Sequence, residues 1–263
     1  MKWDERTDII IAIVWLKESR QTEDNVKDNI ITTIKRGMRT MMISPETYYE
    51  DNLKGKSAGE IFREIQSLKR EIKRLIKIAE SNDVLSEKMC EPSPLTQIKV
   101  NREYLERAKI AYAEVGGEYK PTKAEMKGQE FNESLRLMKK FEFEYGGFFN
   151  GYETRSYTIV GEKVLLDLRH SFRQKPFDFP VYEPVTKEEF LEGLAELHIG
   201  EWKKNYVSPM LDGTQWSIDI EYEGDRKPVH IYGSNSFPYN FDDLLEFLGV
   251  DSQEYLDDDG DEV

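Results

Sequence analysis

Apolar residues in the first half of the chain recur at helical spacing. The longest such stretch starts at the capping-box sequence Ser57–Glu60 and predicts a helix that continues to about Glu80. Its apolar positions repeat by four and three and form an a/d seam: Ile61, Ile65, Leu68, Ile72, Leu75 and Ala79. Because about three heptads are barely enough for a free coiled coil, we expect a helical hairpin with a second helix over Leu95–Val115. A dimer through the long helix is the alternative.

Shorter helices are predicted on both sides of this hairpin. Two of them should occupy residues 1–20 and the stretch from Thr22 to Gly37. Ser44–Thr47 places a serine cap before a proline, which suits the first helical position because its missing N–H has no partner there. Thr122–Glu125 has capping-box spacing and predicts one more helix.

From Leu137 onward the hydrophobic period changes to alternation, which is typical of strands buried on one face. The predicted strands are Phe141–Tyr145, Arg155–Val160, Val164–His170, Trp216–Tyr222 and Val229–Tyr232. One helix should follow Thr186, because Thr186–Glu189 is a third sequence with capping-box spacing, and another should run from the N-cap Asn240 to Gly249. This order of elements implies an antiparallel sheet with helices on one face, and therefore an α+β fold.

The change of period near residue 135 coincides with a change of charge. Residues 1–134 hold 24 Lys+Arg and 24 Asp+Glu, so the net charge of -14 lies entirely in residues 135–263. We therefore expect a helical module over residues 1–134 and a sheet module over residues 135–250. The last residues, 251–263, are rich in aspartate and should form an acidic disordered tail.

Composition indicates an ordered cytoplasmic protein. With 38% hydrophobic residues, a chain of 263 residues can bury a substantial core. No stretch approaches the roughly 20 apolar residues that cross a bilayer, so no membrane association is expected. The single cysteine, Cys90, excludes an internal disulfide and fits a reducing compartment.

Signatures of catalysis or cofactor binding are absent from the sequence, and we expect no cofactor and no metal. There is no glycine-rich phosphate-binding loop, and Cys90 lacks metal-ligand spacing to a histidine. An enzyme would have to use an unrecognised site, for which the strand residues His170, His230, Asp167 and Asp219 are the candidates.

Three groups of residues are candidate interaction surfaces. Lys69, Arg70, Lys73 and Arg74 share one face of the long helix, where cations could bind phosphates or an acidic partner. Asp219 and Glu221 project from one face of a strand, which is typical of the exposed side of a sheet. Asn235, Phe237 and Tyr239 lie in a loop that is either a rigid recognition edge or an anchor for the last helix.

Short motifs with a distinctive order extend from about residue 43 to about residue 250. They are Ile43–Tyr49, Leu53–Lys56, Tyr104–Ala108, Gly146–Phe149, Gly151–Thr154, His198–Trp202, Asp212–Trp216 and Lys227–Gly233. In these motifs the chain resembles a protein family of Gram-positive gut bacteria that has no established activity and is often carried near integrative or phage-like mobile elements. The resemblance implies an accessory protein that antagonises host defence, and it supplies no catalytic residue.

Three functions are consistent with these observations. The first is a non-enzymatic protein-interaction module whose acidic surface occupies a basic partner, such as a defence nuclease, in the manner of an anti-CRISPR protein. The second is a nucleic-acid-binding accessory protein that uses the basic helix face within residues 63–77. The third is an enzyme with a carboxylate or histidine site.

Overall fold

The computed structural model describes residues 43–81, 92–149, 151–171, 186–209 and 213–250. The α-helices in these ranges are α1 (Pro45–Asn52), α2 (Ala58–Ala79), α3 (Pro94–Glu114), α4 (Lys123–Ser134), α5 (Lys187–Glu196) and α6 (Phe241–Phe247). The strands are β1 (Met138–Gly147), β2 (Gly151–Val160), β3 (Lys163–His170), β4 (Asn205–Val207), β5 (Thr214–Tyr222) and β6 (Val229–Ser234). Short 3-10 helices cover Leu135–Leu137 and Ile199–Glu201. The expected α+β class, with helices before the sheet, is confirmed.

Several predicted features lie outside the described residues. They are the helices expected within residues 1–37, Cys90 and the acidic tail after residue 250. None of the described helices is both long and apolar enough to cross a membrane.

The hairpin predicted from the a/d seam forms between α2 and α3. The seam residues Ile61, Ile65 and Leu75 are almost fully buried, and they pack with Ile98 and Ala108 of α3 in one hydrophobic cluster. The seam is therefore covered within the chain, and a dimer through the long helix stays a prediction. α1 joins this helical core through a stacked pair, because the rings of Tyr48 and Tyr104 lie 4.1 Å apart and parallel.

The six strands form one sheet in the order β3-β2-β1-β5-β6-β4. All neighbouring pairs are antiparallel except β4 and β6, which run parallel. The alternation pattern predicts an antiparallel sheet of five strands, and it predicts neither β4 nor the parallel pairing of β4 with β6. β4 has only three residues, Asn205–Val207, and such a short segment shows no alternation that could be recognised.

A second hydrophobic core lies between the sheet and the helices α4, α5 and α6. Its largest fully buried side chains include Trp216, Tyr157, Phe141 and Phe190. Alternate residues of the central strands β1 and β5 point into this core, and the residues between them point to the opposite face. Phe131 of α4 packs in the sheet core, although it lies within the range predicted for the helical module. The boundary at residue 135 stays a prediction.

Candidate functional site

The sheet face opposite the helices carries mostly polar side chains. Alternation along β5 buries Ile218 and Ile220 and turns Asp219 and Glu221 to this face. The cross-strand register places Glu142 of β1 beside Asp219. The carboxylates of this surface are termed the acidic face: Glu142, Glu144, Asp167, Asp219 and Glu221. Alternation along β5 was enough to predict that Asp219 and Glu221 share one face. That Glu142 and Glu144 of β1 lie beside them follows only from the order of the strands in the sheet.

Neighbouring side chains only partly neutralise the acidic face. Glu142 accepts hydrogen bonds from Lys140 at 2.5 Å and from Ser156 at 2.6 Å. Burial opposes its ionisation, but these hydrogen bonds outweigh burial, so the pKa of Glu142 is lowered. Glu144 and Glu221 form no ion pair within the described part of the chain. The face therefore keeps an excess of negative charge, with five carboxylates against three cations: Lys140, Lys163 and Arg169.

Two phenylalanines protrude from the turn between β1 and β2. Phe148 and Phe149 are each 75% exposed, and their ring centroids lie 5.3 Å apart in an edge-to-face arrangement. The base of the turn is tightly built, because a Cβ atom on Gly146 would lie 2.1 Å from the carbonyl oxygen of Gly151. Phe148 and Phe149 are termed the aromatic tip. Neither phenylalanine was predicted as a site residue, although two aromatic residues in a glycine-flanked turn are a signal that could have identified them.

The residues proposed for an enzyme site do not converge. Nδ1 of His230 lies 2.7 Å from a carboxylate oxygen of Asp219, but both side chains lie on the open face, 61% and 46% exposed. Asp167 is on the outer strand β3, three strands away from β5. His170 is at the end of β3, where it lies opposite Glu153 of β2. Among the described residues no group of three or more potential ligands could hold a metal ion. These four residues therefore do not form one enclosed polar site.

The predicted basic face of α2 is only partly available. Lys69 donates hydrogen bonds to Glu125 at 2.7 Å and to the Tyr119 hydroxyl at 2.9 Å. Burial works against its charge, but these two partners outweigh burial and raise the pKa of Lys69. Arg74 forms two hydrogen bonds with Glu71, at 2.9 and 2.7 Å.

The cations of α2 other than Lys69 are exposed to solvent, and these include Arg74 despite its ion pair with Glu71. Arg70 and Lys73 lie on the solvent side of the helix. Four of the exposed cations fall within about 60° of arc along roughly 21 Å of helix. They are termed the basic ridge: Arg63, Arg70, Arg74 and Lys77.

The loop after β6 anchors the last helix to both cores. Asn235 adopts a left-handed backbone conformation with φ of 52°. Phe237 packs on the sheet core, with its ring centroid 4.8 Å from that of Phe241. Tyr239 packs on the helical core, and its hydroxyl accepts a hydrogen bond from Arg102 at 3.0 Å. These contacts match the structural role that the sequence left open for this loop.

A cleft of about 600 Å³ between α3, α4 and the 3-10 helix Ile199–Glu201 is lined by charged residues that were not predicted as site residues. Arg102 donates two hydrogen bonds to Glu201, at 3.2 and 2.9 Å. Burial opposes ionisation of Glu201, but Arg102 outweighs burial and lowers the pKa of this carboxyl. Burial and the positive charge of Arg102 lower the pKa of His198. The Arg102–Glu201 pair joins α3 of the helical core to the 3-10 helix Ile199–Glu201, which packs on the sheet core.

Comparisons with protein-family models, with curated proteins and with solved structures find no match to this chain. The function must therefore be inferred from the surfaces themselves.

Proposed function

We propose that this chain is a non-enzymatic protein-interaction module that binds a basic protein through the acidic face and the aromatic tip. The observation that carries the proposal is the position of both features on β1. Glu142 and Glu144 lie on this strand, and the turn that follows it presents Phe148 and Phe149 to solvent.

The two features supply complementary parts of an interface. Exposed aromatic side chains on a rigid element are frequent binding hot spots, because they bury much apolar area with little loss of side-chain freedom. Carboxylates around such an anchor accelerate association with a cationic partner and select against acidic ones. Since Phe148 and Phe149 contribute little to the core, their exposure is explained by a partner rather than by folding.

Defence nucleases are the first class of partner to test. Their nucleic-acid channels are lined by cations, and an acidic surface can occupy such a channel in place of phosphates. The resemblance of the sequence to proteins encoded near mobile elements supports this choice.

Affinity capture with quantitative mass spectrometry tests the proposal. The wild-type chain is compared with Glu144→Lys/Glu221→Lys and with Phe148→Ser/Phe149→Ser. The matched controls are Glu118→Lys/Glu133→Lys, which changes the charge equally elsewhere on the surface, and Ile110→Ser/Met126→Ser, which alters two exposed apolar residues of α3 and α4. We expect a basic protein to be retained by the wild type and both controls at low salt and lost from both test variants. Equal retention by all five proteins would contradict the proposal.

Nucleic-acid binding through the basic ridge is the second candidate function. The alignment of its cations on the exposed side of α2 favours this function, since a row of cations can follow a phosphate backbone. A gel-shift titration compares Arg63→Gln/Arg70→Gln/Lys77→Gln, which changes three residues of the basic ridge, with the control Lys120→Gln/Lys123→Gln/Lys139→Gln. If the ridge binds DNA or RNA, only the first variant should weaken binding, and its salt slope should fall by about 3. A shift that both variants leave unchanged would exclude this function for the ridge.

A further inference from the structure

The edge of the sheet at β6 is only half covered. β4 pairs with Tyr232, Gly233 and Ser234, which form the second half of β6. The first half of β6, from Val229 to Ile231, has β5 on one side and no strand on the other within the described residues. An uncovered strand edge presents backbone groups that another chain can pair with.

The direction of these backbone groups follows from the hydrogen-bond pattern. The amide of Tyr232 donates to the carbonyl of Lys204 at 3.0 Å, so the backbone groups of Tyr232 point away from β5. In a strand, residues two apart point their N–H and C=O to the same side. The amide and carbonyl of His230 therefore also point to the uncovered side, while its imidazole lies on the acidic face beside Asp219.

A cavity of about 200 Å³ opens beside this uncovered edge. The buried side chains of Ile199, Trp202 and Ile231 contribute to its apolar floor. The cavity volume suits one medium-sized apolar side chain, which would contact the apolar floor of the cavity when it binds.

The rim of the cavity is cationic, in contrast to the chain's net charge of -14. Four cations line the cavity: Lys127, Lys203, Lys204 and Arg226. Glu130 is the one carboxylate among the described lining residues. Lys203 pairs with Glu80, and Arg226 lies 3.6 Å from Glu130. Lys127 and Lys204 form no ion pair within the part of the chain that the structure describes.

We propose that this edge is a second binding site, which takes an extended acidic peptide segment of a partner protein as an added strand. The segment pairs its backbone with His230, inserts one apolar side chain into the cavity, and places flanking carboxylates near Lys127 and Lys204. Strand addition of this kind derives affinity from backbone pairing and specificity from the pocket and charges. The proposal rests on other residues than those of the acidic face, although the two sites adjoin at His230, and the two sites select partners of opposite charge.

Display of random nine-residue peptides on phage, with selection on the full chain, tests this site. Enriched peptides should contain an apolar residue flanked by aspartate or glutamate. Their synthetic forms should bind about tenfold more weakly to Lys127→Glu/Lys204→Glu at low salt, and about equally to the control Lys120→Glu/Lys139→Glu. Lys204→Glu alone should show part of the loss, which keeps the test valid if the double variant folds poorly.

Backbone pairing is tested separately with the same peptides. Methylation of alternate peptide nitrogens blocks strand pairing and leaves the side chains in place, so it should reduce affinity at least tenfold. Enrichment of non-acidic peptides, equal binding to both charge variants, or full binding by methylated peptides would each overturn the proposal. Failure to enrich any peptide would overturn it as well, without bearing on the acidic face.

Discussion

Replacement of Arg102 by methionine should weaken the link between the helical core and the sheet core. Arg102 belongs to α3, and its guanidinium contacts Glu201 and the Tyr239 hydroxyl, which belong to segments that follow β3 in the chain. Arg102→Met keeps most of the apolar stem and removes the charge together with the three hydrogen bonds.

The size of the effect follows from the burial of the two partners. Hydrogen bonds to charged groups contribute about 1.5–3 kcal/mol when well buried. The Arg102 side chain is 19% exposed, but Glu201 is 35% exposed, so solvent screens part of this interaction. Nε of Arg102 is buried without a hydrogen-bond partner, and removing it relieves a cost. We therefore expect a net loss of about 2 kcal/mol in the free energy of unfolding.

Urea unfolding followed by circular dichroism measures this loss. The control is Arg136→Met, because Arg136 is exposed and forms no ion pair within the described ranges. In a double-mutant cycle, Arg102→Met combined with Glu201→Gln should show a coupling energy of about 1 kcal/mol. If Arg102→Met stays within about 0.5 kcal/mol of the wild type, or if the two changes are additive, the proposed link is wrong.

Two further predictions concern pH and packing. Burial opposes ionisation of Glu125, but hydrogen bonds from Lys69 and the Thr122 amide outweigh burial and lower its pKa. The stability that Glu125 contributes is therefore present above its unfolded-state pKa of about 4.3 and is lost as the pH falls toward the folded-state pKa. Denaturation across a pH series should show a shallower acid decline for Glu125→Gln than for the wild type, and an unchanged profile would contradict this. Gly233→Ala should destabilise the chain by at least about 2 kcal/mol, because the new Cβ would lie 2.0 Å from Nε1 of buried Trp216. Thermal unfolding should separate it from Gly59→Ala, whose Cβ meets no atom within 4 Å, and equal stability of the two variants would refute the packing argument.

Features with local causes could be predicted from the sequence. All three capping-box sequences form, and in each the glutamate accepts hydrogen bonds from the cap residue: Ser57–Glu60, Thr122–Glu125 and Thr186–Glu189. The a/d seam predicted the hairpin, and alternation predicted five strands, of which β1 and β2 are clearly longer than expected. These patterns involve residues only a few positions apart, so each stretch contains its own signal.

Contacts between distant residues could not be predicted. Lys69 and Glu125 are 56 positions apart, and Arg102 and Glu201 are 99 positions apart. Without the fold, Lys69 is indistinguishable from the exposed cations Arg70 and Lys73.

Asn240 shows the same limit at a helix end. It occupies the predicted N-cap position, but its side chain bonds to Trp202 and Leu197 and does not cap the helix. Neighbouring residues in the sequence predict that Asn240 starts the helix, whereas its partners Trp202 and Leu197 are distant in the sequence and could not be predicted.

Calorimetric titration of the captured basic protein, once purified, tests the central claim most directly. The dissociation constant is measured for the wild type, for Phe148→Ser/Phe149→Ser, and for Glu144→Lys/Glu221→Lys at several salt concentrations. We expect the first double variant to lose at least about 30-fold in affinity at every salt concentration, since hot-spot residues contribute about 2 kcal/mol or more. The second should lose about tenfold at low salt and progressively less as salt rises. Dissociation constants that agree within a factor of two for all three proteins would show that neither surface binds the partner.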